Sequence, residues 1–317
     1  MTDVRQVDVL VVGAGPAGLA TAARLAGAGA GRVEVLEREQ RAGGVPRHCA
    51  HGGFGTLLRP LTGPQYARLL TAAAVRAGAV VRTGVTALDW AGPLTLTTVG
   101  PHGLEAVTAR AIVLATGARE RPRTARLVPG TRPAGVYTTG ELQQAVHLYG
   151  QPIGSRAVVI GAEDVSYSAA DTVRAAGARV VAMVSDLPTP RTARAFDARL
   201  RRGIPLLTHT GVTELLGHGR LSGVRVRHRD GRTTVLHCDT VVFTGDFVPD
   251  NELARRGGIA LDPATRGPAV DTALHTSRPG VFAVGNAVHA VERAPKVARE
   301  GVRAAAAVLS ELGLTGP

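Results

Sequence analysis

The sequence predicts an α/β fold with two dinucleotide-binding, Rossmann-like domains. Two observations carry this: the apolar run Val7–Val12 ends in Gly13-Ala14-Gly15-Pro16-Ala17-Gly18, and a second strand–turn–helix outline opens at Ala157. A third is composition. With 44% hydrophobic and 20% charged residues the chain is globular rather than disordered, and 317 residues are enough for two cores of ordinary size. Forty glycines and 3% aromatics point to many tight turns around a core of Ala, Val and Leu.

Val7–Val12 is interrupted only by Asp8. An Ala/Leu-rich helical stretch runs from the glycine loop to about Ala30, and a second strand, Val33–Glu37, closes the first βαβ unit. Each glycine has its own task. Gly13 permits the tight turn, Gly15 lets backbone approach a pyrophosphate, and Gly18 lets helix and strand pack closely. The pyrophosphate then sits on amides at the positive end of the helix, and Pro16 and Ala17 complete the cofactor-binding loop. Glu37, at the tip of the second strand, is placed to accept hydrogen bonds from an adenosine ribose.

The second opening is Ala157–Gly161 followed by Ala162-Glu163-Asp164-Val165-Ser166, a helix over Ser168–Ala176 and a strand over Arg179–Val184. Its fingerprint is damaged. Glu163 stands at the second glycine and Ser166 at the third. A carboxylate at that point faces a pyrophosphate at close range, and the helix dipole does not easily offset the repulsion. Two readings stay open: a nucleotide fold kept for structure or docking, and a working NAD(P)H site whose Glu163 side chain rotates away. In the second case Asp186, near the end of the strand, favours NADH, because an acid there accepts a ribose hydroxyl and repels a 2′-phosphate.

Several function classes are excluded. The net charge of +12 comes almost wholly from arginine, and Lys296 is the only lysine. The arginines are scattered, with dense knots only at Arg119–Arg126 and Arg199–Arg202 and no interleaved aromatics, so nucleic acid is not expected as a partner. No run of about 18 apolar residues exists, which rules out a membrane-spanning helix. The N-terminus has no basic n-region and no cleavage site, so a reducing cytoplasm is the expected location. Two cysteines, Cys49 and Cys238, supply neither a disulfide framework nor a Cys-based zinc or iron–sulfur site.

Further segments complete a set. Ala115-Thr116-Gly117-Ala118 ends a strand, Ala111–Leu114, and Thr276-Ser277-Arg278-Pro279-Gly280-Val281-Phe282-Ala283-Val284-Gly285-Asn286 lies near the C-terminus. With the first fingerprint these resemble the two-dinucleotide-domain flavoproteins of the thioredoxin-reductase type, over about Val7 to Val302. The resemblance implies a split FAD-binding domain, residues 1–120 and 241–317. It also implies an inserted domain of the NAD(P)H-binding kind, residues 121–240. More narrowly, Gly43-Gly44, His48–Gly55, Leu61–Ala67, Ala118–Arg121, Arg132–Gly140 and Pro249–Leu253 resemble the FAD-containing oxidoreductases encoded with anaerobic glycerol-3-phosphate dehydrogenases. They are similar, less closely, to the α-type subunits of opine oxidase, hydrogen cyanide synthase and dye-linked proline dehydrogenase.

The resemblance also implies roles. Gly13, Gly15 and Gly18 hold the FAD pyrophosphate and Glu37 its ribose, with Arg38, Gly44, Val85, Ala115, Thr116 and Gly117 along the cofactor. Gly285 and Asn286 match a Gly-Asp pair whose acid bonds the ribityl chain; Asn286 drops the charge, keeps an acceptor and adds a donor. Pro295–Ala298, with Lys296 and Val297, matches a helix start whose backbone approaches the isoalloxazine; a solvated Lys296 side chain is the alternative. A second flavoprotein subunit is the implied partner, and homodimers are common in the family.

Missing sulfur narrows the chemistry. A dithiol relay needs one thiol to attack and one to resolve, yet Cys49 has no cysteine neighbour and Cys238 reads as a small hydrophobe on a strand leading to Asp239. Arg47-His48-Cys49-Ala50-His51 then becomes the most chemically loaded stretch. Near a flavin, His48, Cys49 and His51 are the candidate catalytic residues. A histidine there is suited to take a substrate proton while hydride moves to the flavin, or to stabilise a charged reduced flavin. The alternative is that the histidines hold backbone carbonyls. A metal held by two histidines and one thiol lacks further ligands. The leading expectation is a FAD-dependent oxidoreductase that oxidises a small alcohol or amine, or accepts electrons from a partner flavoprotein. An NAD(P)H-dependent flavoprotein reductase and a non-catalytic FAD-containing subunit are the rivals.

Overall fold

Val9–Val12 is apolar at every position because both faces of its sheet are covered. A computed structural model describes residues 4–56, 58–189, 203–290 and 292–314. The chain divides into two compact units, Met1–Arg119 with Phe247–Pro317, and Glu120–Asp246.

In the first unit five parallel strands lie in the order Val281–Ala283, Ala111–Leu114, Val9–Val12, Val33–Glu37, Val80–Thr83. Val9 and Val11 face the helices Pro16–Gly27 and Ala294–Glu311, packing with Leu19, Leu25 and Val308. Leu10 and Val12 face the other way, onto Leu96 and Val107 of a smaller sheet. That sheet orders Val4–Gln6, Gly103–Thr108, Thr95–Gly100 and Thr86–Gly92, and its last three strands form an antiparallel meander. The two helices meet closely. A Cβ on Gly301 would fall 2.3 Å from the Ala17 carbonyl oxygen. The Thr21 hydroxyl lies 2.9 Å from Ala17 O and 3.0 Å from Gly301 O, sharing its proton between them. On the far side the Arg278 guanidinium stacks 3.9 Å over Trp90 and donates to the carbonyls of Gly92, Pro93 and Gly257. The Trp90 indole N–H donates to Leu253 O at 2.8 Å.

The second unit repeats the plan. Parallel strands lie in the order Val136–Thr138, Thr240–Phe243, Arg156–Ile160, Arg179–Val184, Leu206–Leu207, beside an antiparallel sheet of Thr210–His218, Arg220–His228 and Thr233–Leu236. The return to the first unit falls at Phe247, not at residue 241, because Thr240–Phe243 pairs on both edges inside the second sheet. The second helix spans Asp164–Ala175, starting four residues earlier than the sequence indicates. Cys238 precedes its strand rather than lying on it, yet is buried in the core of this unit. The Arg199–Arg202 knot lies outside the described residues. Among the described residues no helix is long and apolar enough to cross a membrane.

Candidate functional site

At the C-terminal end of Val9–Val12 the chain turns through Gly13, whose φ of +107° suits glycine. A Cβ on Gly13 would sit 2.4 Å from Ala115 O, and one on Gly18 would sit 2.0 Å from Gly13 O. Both glycines are therefore needed for the fold itself. Gly15 differs: its φ of −81° is ordinary and a Cβ there would meet no atom within 4 Å. It opens the N-terminus of Pro16–Gly27, which has no side-chain cap and no acid in its first turn. The space a side chain would fill at Gly15, beside an uncapped helix start, fits a pyrophosphate.

The loop is held in shape from three sides. Glu37 Oε2 accepts the Ala14 N–H at 3.1 Å, and Glu37 Oε1 accepts the Glu39 N–H at 2.9 Å. Burial pushes the Glu37 carboxyl above its ordinary range, against the pull of those two N–H groups. The Gly43-Gly44 turn approaches next: Gly43 N donates to Ala14 O at 2.8 Å, and a Cβ on Gly44 would fall 2.8 Å from Gly15 Cα. Val85 is buried and its N–H donates to Glu37 O at 2.9 Å. Ala115, also buried, sits under the loop. The Thr116 hydroxyl donates to Asp250 O at 2.7 Å, and Asp250 N–H returns a bond to Gly117 O at 2.8 Å. The exposed Arg38 side chain reaches the Asp250 carboxylate at 3.4 Å.

The C-terminal motif joins this end of the sheet. Gly285 (φ +69°) packs against Ala17 and Val297, so a Cβ would lie 2.8 Å from the Ala17 Cβ. Its N–H donates to Glu300 Oε1 at 2.8 Å, and Glu300 Oε2 lies 3.3 Å from His289 Nε2. Glu300 is 4% exposed and was not singled out from sequence. The readable signal was an acid on the buried stripe of a helix otherwise lined by Val297, Gly301, Ala304 and Val308. Asn286 bonds the Glu292 backbone at both ends: Oδ1 accepts its N–H at 2.9 Å and Nδ2 donates to its carbonyl at 3.2 Å. An aspartate would set a carboxylate oxygen against that carbonyl. Lys296 is ion-paired to Glu292 in the first turn of Ala294–Glu311.

The loop after the Gly-Gly turn separates its three candidates. Val45–His48 is a single helical turn in which His48 is buried, and Cys49 is 7% exposed with its thiol 3.4 Å from Val45 O. His51 is half-buried, its Nδ1 2.8 Å from Gly52 O. A carbonyl oxygen only accepts, so Nδ1 carries the proton and the neutral ring keeps its lone pair on Nε2. Phe54 braces the ring at 5.4 Å between centroids, and Tyr66 backs Phe54 at 5.9 Å. Cys238 belongs to the other unit, where burial pushes its thiol up to about 11 and leaves it inert.

The second loop has the same backbone outline and a different filling. Glu163 Oε2 accepts the Ala162 N–H at 3.1 Å and the Ser166 hydroxyl at 2.9 Å, while Glu163 N–H donates to Ser166 Oγ at 3.1 Å. Ser166 is fully buried and 2.7 Å from the Thr244 hydroxyl. Glu163 is the N-cap residue of the helix that begins at Asp164, and Ser166 reaches back from the first turn to accept its N–H.

Residues 7–305 match the family described as pyridine nucleotide-disulphide oxidoreductase. The thioredoxin reductase of Mycolicibacterium smegmatis is 30% identical, the match covering 94% of both chains. Sarcosine oxidase subunit alpha of Rhizobium meliloti (strain 1021) is 28% identical over 98% of this chain, which spans only 31% of that subunit. The crystal structure of T. acidophilum thioredoxin reductase superposes with a TM-score of 0.81 at 23% identity, over 97% of this chain and 99% of that one.

Proposed function

Because the chain belongs to the pyridine nucleotide-disulphide oxidoreductase family, whose members are FAD-dependent oxidoreductases, we propose that it oxidises a small alcohol or amine, or takes electrons from a partner flavoprotein, without a redox disulfide. The observation that carries this reading is the loop after Gly44. It holds one buried thiol and a histidine whose basic nitrogen is Nε2. Such a pair has no resolving sulfur and does have a base. FAD, when bound, supplies the two-electron acceptor.

Gly13, Gly15, Pro16, Ala17 and Gly18 would hold its pyrophosphate, Glu37 its ribose, and Gly285, Asn286 and the helix start at Lys296-Val297 the remainder. His51 Nε2 would take the O–H or N–H proton of the substrate as its C–H bond is oxidised, while the Gly52 carbonyl keeps the ring in that tautomer. His48 and Cys49, buried in the preceding turn, position this loop. A second flavoprotein subunit as partner is supported by the sarcosine oxidase relatives, which are subunits by name. The test is anaerobic mixing of the yellow protein with a panel of small amines and alcohols. At least one should bleach the flavin, and His51→Ala should slow that step roughly 10²-fold with FAD still bound. Bleaching by NADH or NADPH alone would instead make the chain a reductase.

A further inference from the structure

We infer that the second unit is closed to pyridine dinucleotides by its own carboxylate. Glu163 acts as an internal anion in the place where a pyrophosphate would have to sit. This goes beyond the proposed oxidation chemistry and does not depend on His51.

Two kinds of group make a glycine loop receptive to a pyrophosphate: amide N–H groups aimed at the ligand, and open space at the second glycine. The second loop lacks the open space, and the N–H at its second-glycine position is taken. The Glu163 N–H is spent on Ser166 Oγ, and the Glu163 carboxylate itself fills the turn; the Ala162 N–H goes to that carboxylate much as its counterpart, the Ala14 N–H, goes to Glu37 in the first loop. The first loop shows the contrast, since the position matching Glu163 is Gly15, where a Cβ would meet nothing within 4 Å.

The plug is also buttressed. Ser166, in the slot of the third glycine, donates to the Glu163 carboxylate and touches the Thr244 hydroxyl, which itself donates to Ile160 O at 2.7 Å. Gly245 closes over the carboxylate, with a Cβ position 3.5 Å from Glu163 Oε2. Arg126 pins that segment by donating to Thr244 O and Gly245 O. Rotating Glu163 away would strand the Ala162 N–H and break the bond from the Ser166 hydroxyl, so rotation has a cost of its own. A dinucleotide arriving here meets a filled second-glycine position, whose N–H is taken, and a like charge. The charge alone lowers affinity by roughly fivefold to a thousandfold at about 4 Å.

The measurement is direct titration of NADH and NADPH against the FAD-loaded protein, read by nicotinamide fluorescence rather than by turnover. Wild type should show a Kd above about 1 mM for both nucleotides. Glu163→Gly combined with Ser166→Gly should bind NADH at least tenfold more tightly. Glu163→Gln keeps the side chain in place without its charge and should recover only part of that gain. Micromolar binding by wild type would overturn the inference. So would a folded double variant, checked by circular dichroism, with unchanged affinity. A Gln variant that binds as tightly as the double variant would also overturn it, since the side chain filling the loop would then play no part. If the double variant does not fold, the wild-type titration still decides.

Discussion

Replacing Gly15 with glutamate separates cofactor binding from folding. Gly15 has φ −81° and ψ −177°, a conformation open to any residue, and its Cβ position faces no atom within 4 Å. The variant should therefore fold with a stability change within about 0.5 kcal/mol. FAD binding should suffer, because the added carboxylate enters the path of the pyrophosphate. One like-charge contact at about 4 Å costs on the order of 1–4 kcal/mol between bulk-water and surface dielectrics. That corresponds to a loss of roughly fivefold to a thousandfold in affinity, before the blocked backbone approach is counted. The assay is titration of FAD into apoprotein by quenching of flavin fluorescence, with thermal melts of both proteins alongside. Gly18→Ala is the contrasting control: its methyl would land 2.0 Å from Gly13 O, so it should lose stability as well as FAD. Stoichiometric FAD at wild-type affinity in Gly15→Glu would refute the assignment of this loop.

Glu300→Ala should leave the Gly285 N–H without its buried acceptor and destabilise the chain by about 1–3 kcal/mol, whereas Glu300→Gln, which keeps an acceptor oxygen, should recover part of the loss in a urea melt. Asp239 gives a pH dependence. Burial pushes its carboxyl up, but N–H groups of Arg156 and Ser155 and the Ser155 hydroxyl outweigh that and hold it down at about 2. A depressed folded-state value means stability that is present above about pH 4 and lost as pH falls toward about 2. After allowance for solvent screening, the Asp239→Asn deficit should be about 1 kcal/mol near neutrality. It should shrink at the lowest pH where the fold survives; a constant deficit would contradict this.

Where a segment's structure follows from its own residues, the sequence was readable. Val33–Glu37, Ala111–Leu114 and Arg179–Val184 span the residues expected, because apolar runs between glycine turns define buried parallel strands locally. The strands from Thr86 to Thr108 were not read, since their half-buried pattern mixes Thr and Gly among few large apolar residues. The return at Phe247 depends on Thr240–Phe243 pairing with Val136–Thr138 and Arg156–Ile160, a choice made by distant partners. Side-chain direction was equally hidden. Sequence placed Glu163 at the loop but not its turn back onto Ala162 and Ser166. It placed Asn286 in the motif but not its grip on Glu292, six residues away.

The stacked pair of Trp90 and Arg278 has a practical consequence. Trp90 is the only tryptophan in the chain and belongs to the first unit. Its emission therefore reports the unfolding of that unit alone, and the cation above its ring makes the signal sensitive to the first loosening of the Arg278 contacts. Backbone ellipticity, by contrast, sums both units. If the two signals move together in denaturant, the units melt as one cooperative body; if they separate, each unit's stability can be read without cutting the chain.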